Sequence, residues 1–386
     1  MNALSDLVVA DFSRVLAAPY ATMLLADMGA DVIKVEHPER GDETRGWGPP
    51  FAGQEATYFL SVNRNKRSLG LDLADPVDNR RAHELVRRAD VVVENFRPGT
   101  MAKYGLAYEQ VSEINSGVVY CSITGFGSEE GADLPGYDLL VQAVGGLMSV
   151  TGQEPGQPVK TGVAVVDVLT GLHAMTGILA ALRHRDATGQ GQLVEANLLT
   201  SLLSGLVNQS AGYTLAGAVP GAMGNRRPSV APYELFATAD VPMVLAVGND
   251  RQFATLCDGI GVPELARDQR FTTNSDRVAH VEELGELLAK RLRERTAKEW
   301  FDLLTPLGVP CGPVNDVAGA FALADDLGLR SRASIGRAGD AEDDAAEFVA
   351  NPLSLSETPP VYRARPPHLG EHTAEIVAWL DGDEGR

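Results

Sequence analysis

Leu7-Val-Val-Ala-Asp-Phe12, a helical stretch over Pro19–Met28 closed by Gly29, then Asp31-Val-Ile-Lys-Val-Glu36: this opening run sets the architecture. Two short β-branched runs separated by a helix predict parallel strands joined by a crossover. The pattern continues. Leu69-Gly-Leu-Asp-Leu73 reads as a third strand. Pro76–Arg88 reads as a polar-faced helix, with Asp75 as N-cap and Pro76 in the first position. Asp90-Val-Val-Val-Glu-Asn-Phe96 and Val118-Val-Tyr-Cys-Ser-Ile123 supply two more strands. The expected class is α/β, a Rossmann-like parallel-sheet domain. Ligands of such sheets sit beyond the strands' C-terminal ends. That points to three loops: after Phe12, after Phe96 and after Ile123.

The middle of the chain changes character. A turn over 187–191 and the stretch from Gln192 lead into a long apolar helix at about 198–213. Residues 217–232 carry Pro220, Gly221, Gly224 and Pro228 and read as a linker. A smaller α+β domain is expected over 233–320. It has strands at Met243-Val-Leu-Ala-Val-Gly248 and Val309-Pro-Cys-Gly-Pro-Val314, and helices at about 250–258, 281–293 and 297–304. The large domain would then comprise 1–216 and a return segment, 321–386. Residues 336–346 are charged and predict a loop, and 374–380 a last amphipathic helix.

Composition removes several function classes. The chain has 386 residues, 33 of them basic and 52 acidic, for a formal charge of -19. That field repels nucleic acid. The three cysteines have no paired spacing and the seven histidines no metal spacing, so neither a disulfide framework nor a metal site is expected. The reading is a cytoplasmic protein, with no signal peptide. Residues 161–182 are long enough to raise a membrane span, but Asp167 within them argues against lipid. The nearest glycine cluster, Gly125-Phe-Gly-Ser-Glu-Glu-Gly131, lacks dinucleotide spacing and puts acids where a pyrophosphate would lie, so a nicotinamide enzyme is disfavoured.

Asp167 is the only formally charged residue between Lys160 and Arg183. A carboxylate among apolar neighbours needs a partner or a task. One reading is a helix-capping carboxylate. The other is a nucleophile towards an acyl group, kept ionised by the helix dipole. Asn63-Arg-Asn-Lys-Arg-Ser68, with Arg97 and Lys103, is either ordinary surface charge or a seat for a phosphate-bearing ligand. Tyr104 is placed to stack on an adenine. Tyr137 follows a glycine and either lines a pocket or packs in the core; Asp138 beside it reads as a helix-terminus residue.

Taken together, these segments resemble the class III coenzyme A transferases, a family that also holds carnitine–CoA transferases and α-methylacyl-CoA racemases. The resemblance rests on Asp11–Tyr20, Met23–Glu36, Gly41–Phe51, Asn63–Ser68, Glu94–Gly99, Pro135–Asp138, Val163–Val168, Gly308–Val314 and Leu369–Thr373. It implies a nucleophilic Asp167 with Tyr137 near the thioester. It implies coenzyme A contacts from Arg14, Val15, Leu16 and Ala17, and from His37, Lys66, Lys103 and Tyr104. It implies acyl-CoA and a carboxylic acid as substrates, no tightly bound cofactor, and an interlocked homodimer. The aspartyl anhydride and aspartyl-CoA thioester would be the intermediates. Arg14 and Leu16 depart from the family's oxalate-using member, and Arg226–Arg227 offer a seat for the free carboxylate of a dicarboxylic acid. A racemase needs two opposed acid/base groups, and the family's racemases carry His where this chain has Tyr137. A phenol of pKa about 10 is a poor base at neutral pH, which favours transfer. Asp167 and Tyr137 also argue against a non-catalytic CoA-binding protein.

Overall fold

The computed structural model describes residues 2–336 and 345–382. Six strands form one sheet: β1 (Val8–Asp11), β2 (Asp31–Glu36), β3 (Lys66–Gly70), β4 (Val91–Glu94), β5 (Val119–Thr124) and β6 (Gln192–Asn197). Every pairing is parallel, in the order β3-β2-β1-β4-β5-β6. The direction of winding therefore reverses between β1 and β4. Their connections leave on opposite sides and open a crevice at the strands' C-terminal ends.

Both faces of the sheet are covered, which is why its strands read as continuous apolar runs. Val9, Val91 and Val93 point into one buried cluster, with helix α1 (Ala17–Asp27) and the long helix α4 (Val165–Thr188). Ala10 and Val92 point into the other, with α2 (Pro76–Arg88), α3 (Tyr108–Ile114) and the C-terminal helix Thr373–Asp381. Asp75 caps α2 as its sequence predicts, accepting from the N–H groups of Val77 (2.8 Å) and Asp78 (3.0 Å). Gly171 lets α4 meet α1: a Cβ there would stand 2.5 Å from the Ala17 carbonyl oxygen. By length and composition α4 would also cross a membrane, yet half of its most apolar window is buried inside the protein.

The chain separates into two compact units. The sheet belongs to the first, which comprises Met1–Leu147, Lys160–Ala218 and Leu329–Arg386. The second comprises Met148–Val159 and Val219–Gly328. It carries a three-stranded antiparallel sheet in the order Cys311–Pro313, Met243–Ala246, Tyr233–Phe236. Its core is built on Trp300, Phe253 and Phe271, and the Trp300 indole N–H donates to the Leu292 carbonyl (2.7 Å).

Two of the expected elements change. The third strand starts at Lys66, three residues before the predicted Leu69, because the basic residues are paired inside the fold. The helix expected over 198–213 is broken into Leu198–Gly205 and Asn208–Ala216, with Val207 between them at φ 43°. Most of the loop expected at 336–346 lies outside the described residues.

Candidate active site

The three loops named from sequence converge on one cleft. Arg14, Val15, Leu16 and Ala17 come from the loop after β1 and the start of α1. Asn95, Phe96 and Arg97 follow β4, and Thr124 and Gly125 end β5. Asp167 and Tyr137 line the same open cleft, whose space counted out into solvent is about 970 Å³. It sits where the strand order reverses.

The loop after β1 is held against strain. Val15 has φ 71°, a region β-branched residues avoid. The Asn95 side-chain amide clamps its neighbour in both directions, accepting from the Arg14 N–H (2.9 Å) and donating to the Arg14 carbonyl (2.7 Å). From the other side, the Asp42 carboxylate accepts from the Val15 N–H at 3.3 and 3.4 Å. Asp42 is in turn held by the buried Lys34 ammonium (2.9 Å), which also donates to the Ser13 carbonyl (2.8 Å).

Asp167 occupies the first turn of α4. The helix N-terminus is already capped by Asp138, whose Oδ1 accepts from the N–H groups of Val166 (2.8 Å) and Asp167 (3.3 Å). The Asp167 carboxyl is pushed up to about 7, first by burial and then by the Asp138 charge. The helix dipole therefore does not keep it a low-pKa carboxylate, as its sequence position suggests. The same two carboxylates, after burial, raise the Tyr58 phenol to about 12. Tyr58 and Asp138 thus lie within electrostatic reach of Asp167, though neither lines the cleft. No sequence pattern marks Tyr58, whereas Asp138 reads from sequence only as a helix cap.

A carboxyl group attacks an acyl carbon only in its ionised form, so Asp167 as a nucleophile would work through its carboxylate. Its reactivity in the free protein should rise with pH through about 7 and level off above it. Asp138→Asn keeps the Oδ1 acceptor for the helix but removes the repelling charge. The rising limb of kcat/KM should move towards acid, while the alkaline plateau stays within a few fold. A pH–rate profile of the two proteins checks this, and an unmoved limb would count against the pairing.

A second cleft of about 1130 Å³ lies over the ends of β1–β4 and shares Arg14, Glu43 and Phe96 with the first. His37, Arg40 and Tyr104 line it. The Arg14 guanidinium lies 4.8 Å over the Phe96 ring, between the two clefts. Arg40 sits alone after a strand, and no sequence pattern marks it. The lining of this second cleft also carries Glu36 and Asp42, which are paired with Arg45 and Lys34, and Glu43 and Asp72.

Other basic residues are elsewhere. Lys66 is fully buried, and its ammonium donates to Asp11 (3.0 Å), the Pro19 carbonyl (3.0 Å) and Asn63 (2.9 Å). Arg64 is committed to Asp27 (2.6 and 2.9 Å), and Arg67 to Asp31 and Glu375. The basic run therefore forms interior and surface pairs instead of a phosphate seat. Lys103 is exposed and lines neither cleft, though Tyr104 beside it does. Arg226 is taken by Glu234 (2.8 Å) and Glu282, and Arg227 lies 4.6 Å over Tyr233. The Arg226 guanidinium is thus not free for a substrate carboxylate. Among the described residues no group of three or more His, Cys, Asp or Glu is placed to hold a metal ion.

The chain is similar to known proteins along nearly its whole length. The family model described as CoA-transferase family III matches residues 4–373. A succinate–glutarate CoA-transferase of Agrobacterium fabrum is 42% identical, over 98% of this chain and 96% of its own. The succinyl-CoA:glutarate CoA-transferase of Mus musculus is 40% identical, over 100% and 88%. Among solved structures, a CAIB/BAIF family protein from Brucella suis superposes with a TM-score of 0.88 at 40% identity, over 99% of this chain and 100% of the other. With a six-stranded parallel sheet, a cleft at its switch point and a match running nearly end to end, this chain belongs to CoA-transferase family III and is a CoA-transferase.

Proposed function

We propose that the enzyme moves coenzyme A between carboxylic acids by covalent catalysis on Asp167, with dicarboxylic acyl groups as substrates. One observation carries the mechanism: Asp167, set at the start of a helix among apolar neighbours, is one of two carboxylates, with Glu43, that line the cleft at the strand-order reversal, beside Tyr137 and the loop after β1. The substrate class leans on the succinate and glutarate that name the similar transferases.

The ionised Asp167 attacks the thioester carbonyl; the C–S bond breaks and CoA thiolate leaves, giving a mixed anhydride. The thiolate attacks the Asp167 carbonyl carbon, releasing the donor acid and forming an aspartyl-CoA thioester. The acceptor carboxylate expels the thiolate again and forms a second anhydride. Thiolate attack on the acceptor's acyl carbon yields the new acyl-CoA and restores Asp167. No proton is gained or lost overall, so the reaction asks for no general acid or base. The nucleotide end of coenzyme A lies in the second cleft with His37, Arg40 and Tyr104, and its reactive arm passes Arg14 into the first. Arg97 borders the arm's path. No tightly bound cofactor takes part.

The protein acts as an interlocked homodimer in the cytoplasm. Exposed Leu172, Leu203, Val207, Tyr213 and Leu215 on the helices from 165 to 216 favour burial by a second copy, and Cys121, Cys257 and Cys311 are free thiols suited to a reducing compartment.

The test is chemical trapping. Incubation with succinyl-CoA and hydroxylamine should leave a hydroxamate on Asp167, found by peptide mass spectrometry. Acyl transfer with no modification at Asp167 would sink the covalent mechanism.

A further inference from the structure

We infer that the segment Gly125–Gly136 is a preformed water seal over Asp167, and that Gly125 and Gly136 are its positioning residues. This rests on the acyl-aspartate reading above. The segment leaves β5 and returns to the same point before Tyr137. Its ends touch: a Cβ on either glycine would stand 2.5 Å from the Cα of the other. No residue larger than glycine closes this loop at that spacing. Compact surface loops with pinned ends are frequently functional.

The loop is built to hold one shape. The Gly125 carbonyl accepts from the Leu199 N–H (3.1 Å), and the Gly127 N–H donates to Thr124 Oγ1 (3.0 Å). Ser128 Oγ donates to Glu195 Oε1 (2.6 Å), tying the loop to β6. Phe126 packs against the buried cluster beneath, and a Cβ on Gly131 would lie 2.1 Å from its carbonyl oxygen.

The two faces differ in chemistry. Gly127, Gly131, Ala132, Leu134 and Pro135 face the cleft that holds Asp167. None carries a polar side chain with which to recognise a substrate. Glu129, Glu130 and Asp133 are exposed and do not line the cleft. Leu134 and Pro135 stay exposed in the cleft, so this apolar inner wall under an acidic outer face keeps water from Asp167 once an acyl group fills the space between them; it offers no group that binds a ligand. The reaction needs this. Water attacking the anhydride's acyl carbon breaks its bond to the Asp167 oxygen, frees the acid, and wastes the thioester without transfer.

The seal predicts a change in partition. Gly136→Ala forces the loop's ends apart. With succinyl-CoA and glutarate, the ratio of hydrolysis to transfer should rise at least about tenfold, while hydroxylamine still traps Asp167. Ser128→Ala releases the surface tie alone and should raise the ratio roughly threefold; it serves should Gly136→Ala not fold. An unchanged ratio in a folded Gly136→Ala protein, or in Ser128→Ala, overturns the seal. A wild-type protein that transfers without any trapped Asp167 overturns the covalent reading and the seal with it, and the missing adduct tells that failure from the first.

Discussion

Asp167→Asn will lose acyl transfer by a factor on the order of 10⁴ or more, and yet melt at a higher temperature than the wild type above pH 7. The two effects share one cause. Burial and the neighbouring Asp138 raise the folded-state pKa of this carboxyl to about 7, well above its ordinary value of 3.8. In the unfolded chain it ionises near that ordinary value. Between pH 4 and 7 the unfolded state therefore releases a proton that the folded state keeps, and wild-type stability falls as pH rises. Above 7 both states are ionised and the penalty is constant. An amide at this position never ionises, so the variant escapes the penalty. Its advantage should be absent at pH 4, grow through neutrality and level off above it. One pKa unit is worth about 1.4 kcal/mol. With partial solvent access screening the charge, the gain should be about 1–3 kcal/mol. Calorimetry across that range, beside transfer assays, reads both. A variant that keeps activity removes the nucleophile assignment. One that melts lower at pH 8 removes the account of why the carboxyl is reactive. A destabilising carboxylate is what a trade-off between stability and activity predicts for a nucleophile at this position.

How much of this was legible in the sequence follows from the range of the forces involved. The sheet was readable because strands buried on both faces leave uninterrupted β-branched runs, as in Val91-Val-Val93. The location of the cleft followed, since topology alone puts ligands at the strand ends. The helix caps at Asp75 and the turn after Thr188 are local and were read directly. What stayed hidden depends on contacts between distant segments. Nothing near Asn95 in sequence says that its amide will bracket Arg14, which is 81 positions away. Tyr58 is invisible for the same reason. The basic run at 63–68 shows the converse failure. Charge in a sequence reads as surface, and here Lys66, Arg64 and Asn65 are interior because Asp11 and Asp27 wait for them. Composition along the chain cannot show a partner that arrives from another strand.

That interior network gives a second large effect, and it separates two roles for Lys66. A lysine that contacts coenzyme A would, when replaced, raise KM and leave the melting temperature alone. The structure gives the opposite pattern. Lys66 lies with Asp11 beneath the loop after β1. Asp11 also accepts from Thr22 Oγ1 (2.7 Å), the Ser13 N–H (3.0 Å) and the Ser13 hydroxyl. Burial by itself would raise the Asp11 carboxyl. The charges of Lys66 and Lys34, with those hydrogen bonds, bring it below the usual range instead. Burial lowers the Lys66 ammonium to about 8 against the pull of Asp11, so both groups are charged at neutral pH. Lys66→Met leaves the Asp11 carboxylate buried with one cation fewer, and breaking a buried pair costs about 3–5 kcal/mol. The variant should melt far below the wild type, while KM for acyl-CoA, measured where it is folded, stays within about twofold. Adding Asp11→Leu removes the stranded charge, and the double variant should recover part of the loss, because a buried ion pair is often no better than apolar groups of similar volume. A single variant of undiminished stability with weakened coenzyme A binding would place Lys66 at the ligand after all. Recovery in the double variant would show that the strand ends around the cleft are set by neutralised charge inside the sheet, the same device that holds Asp42 against the strained Val15.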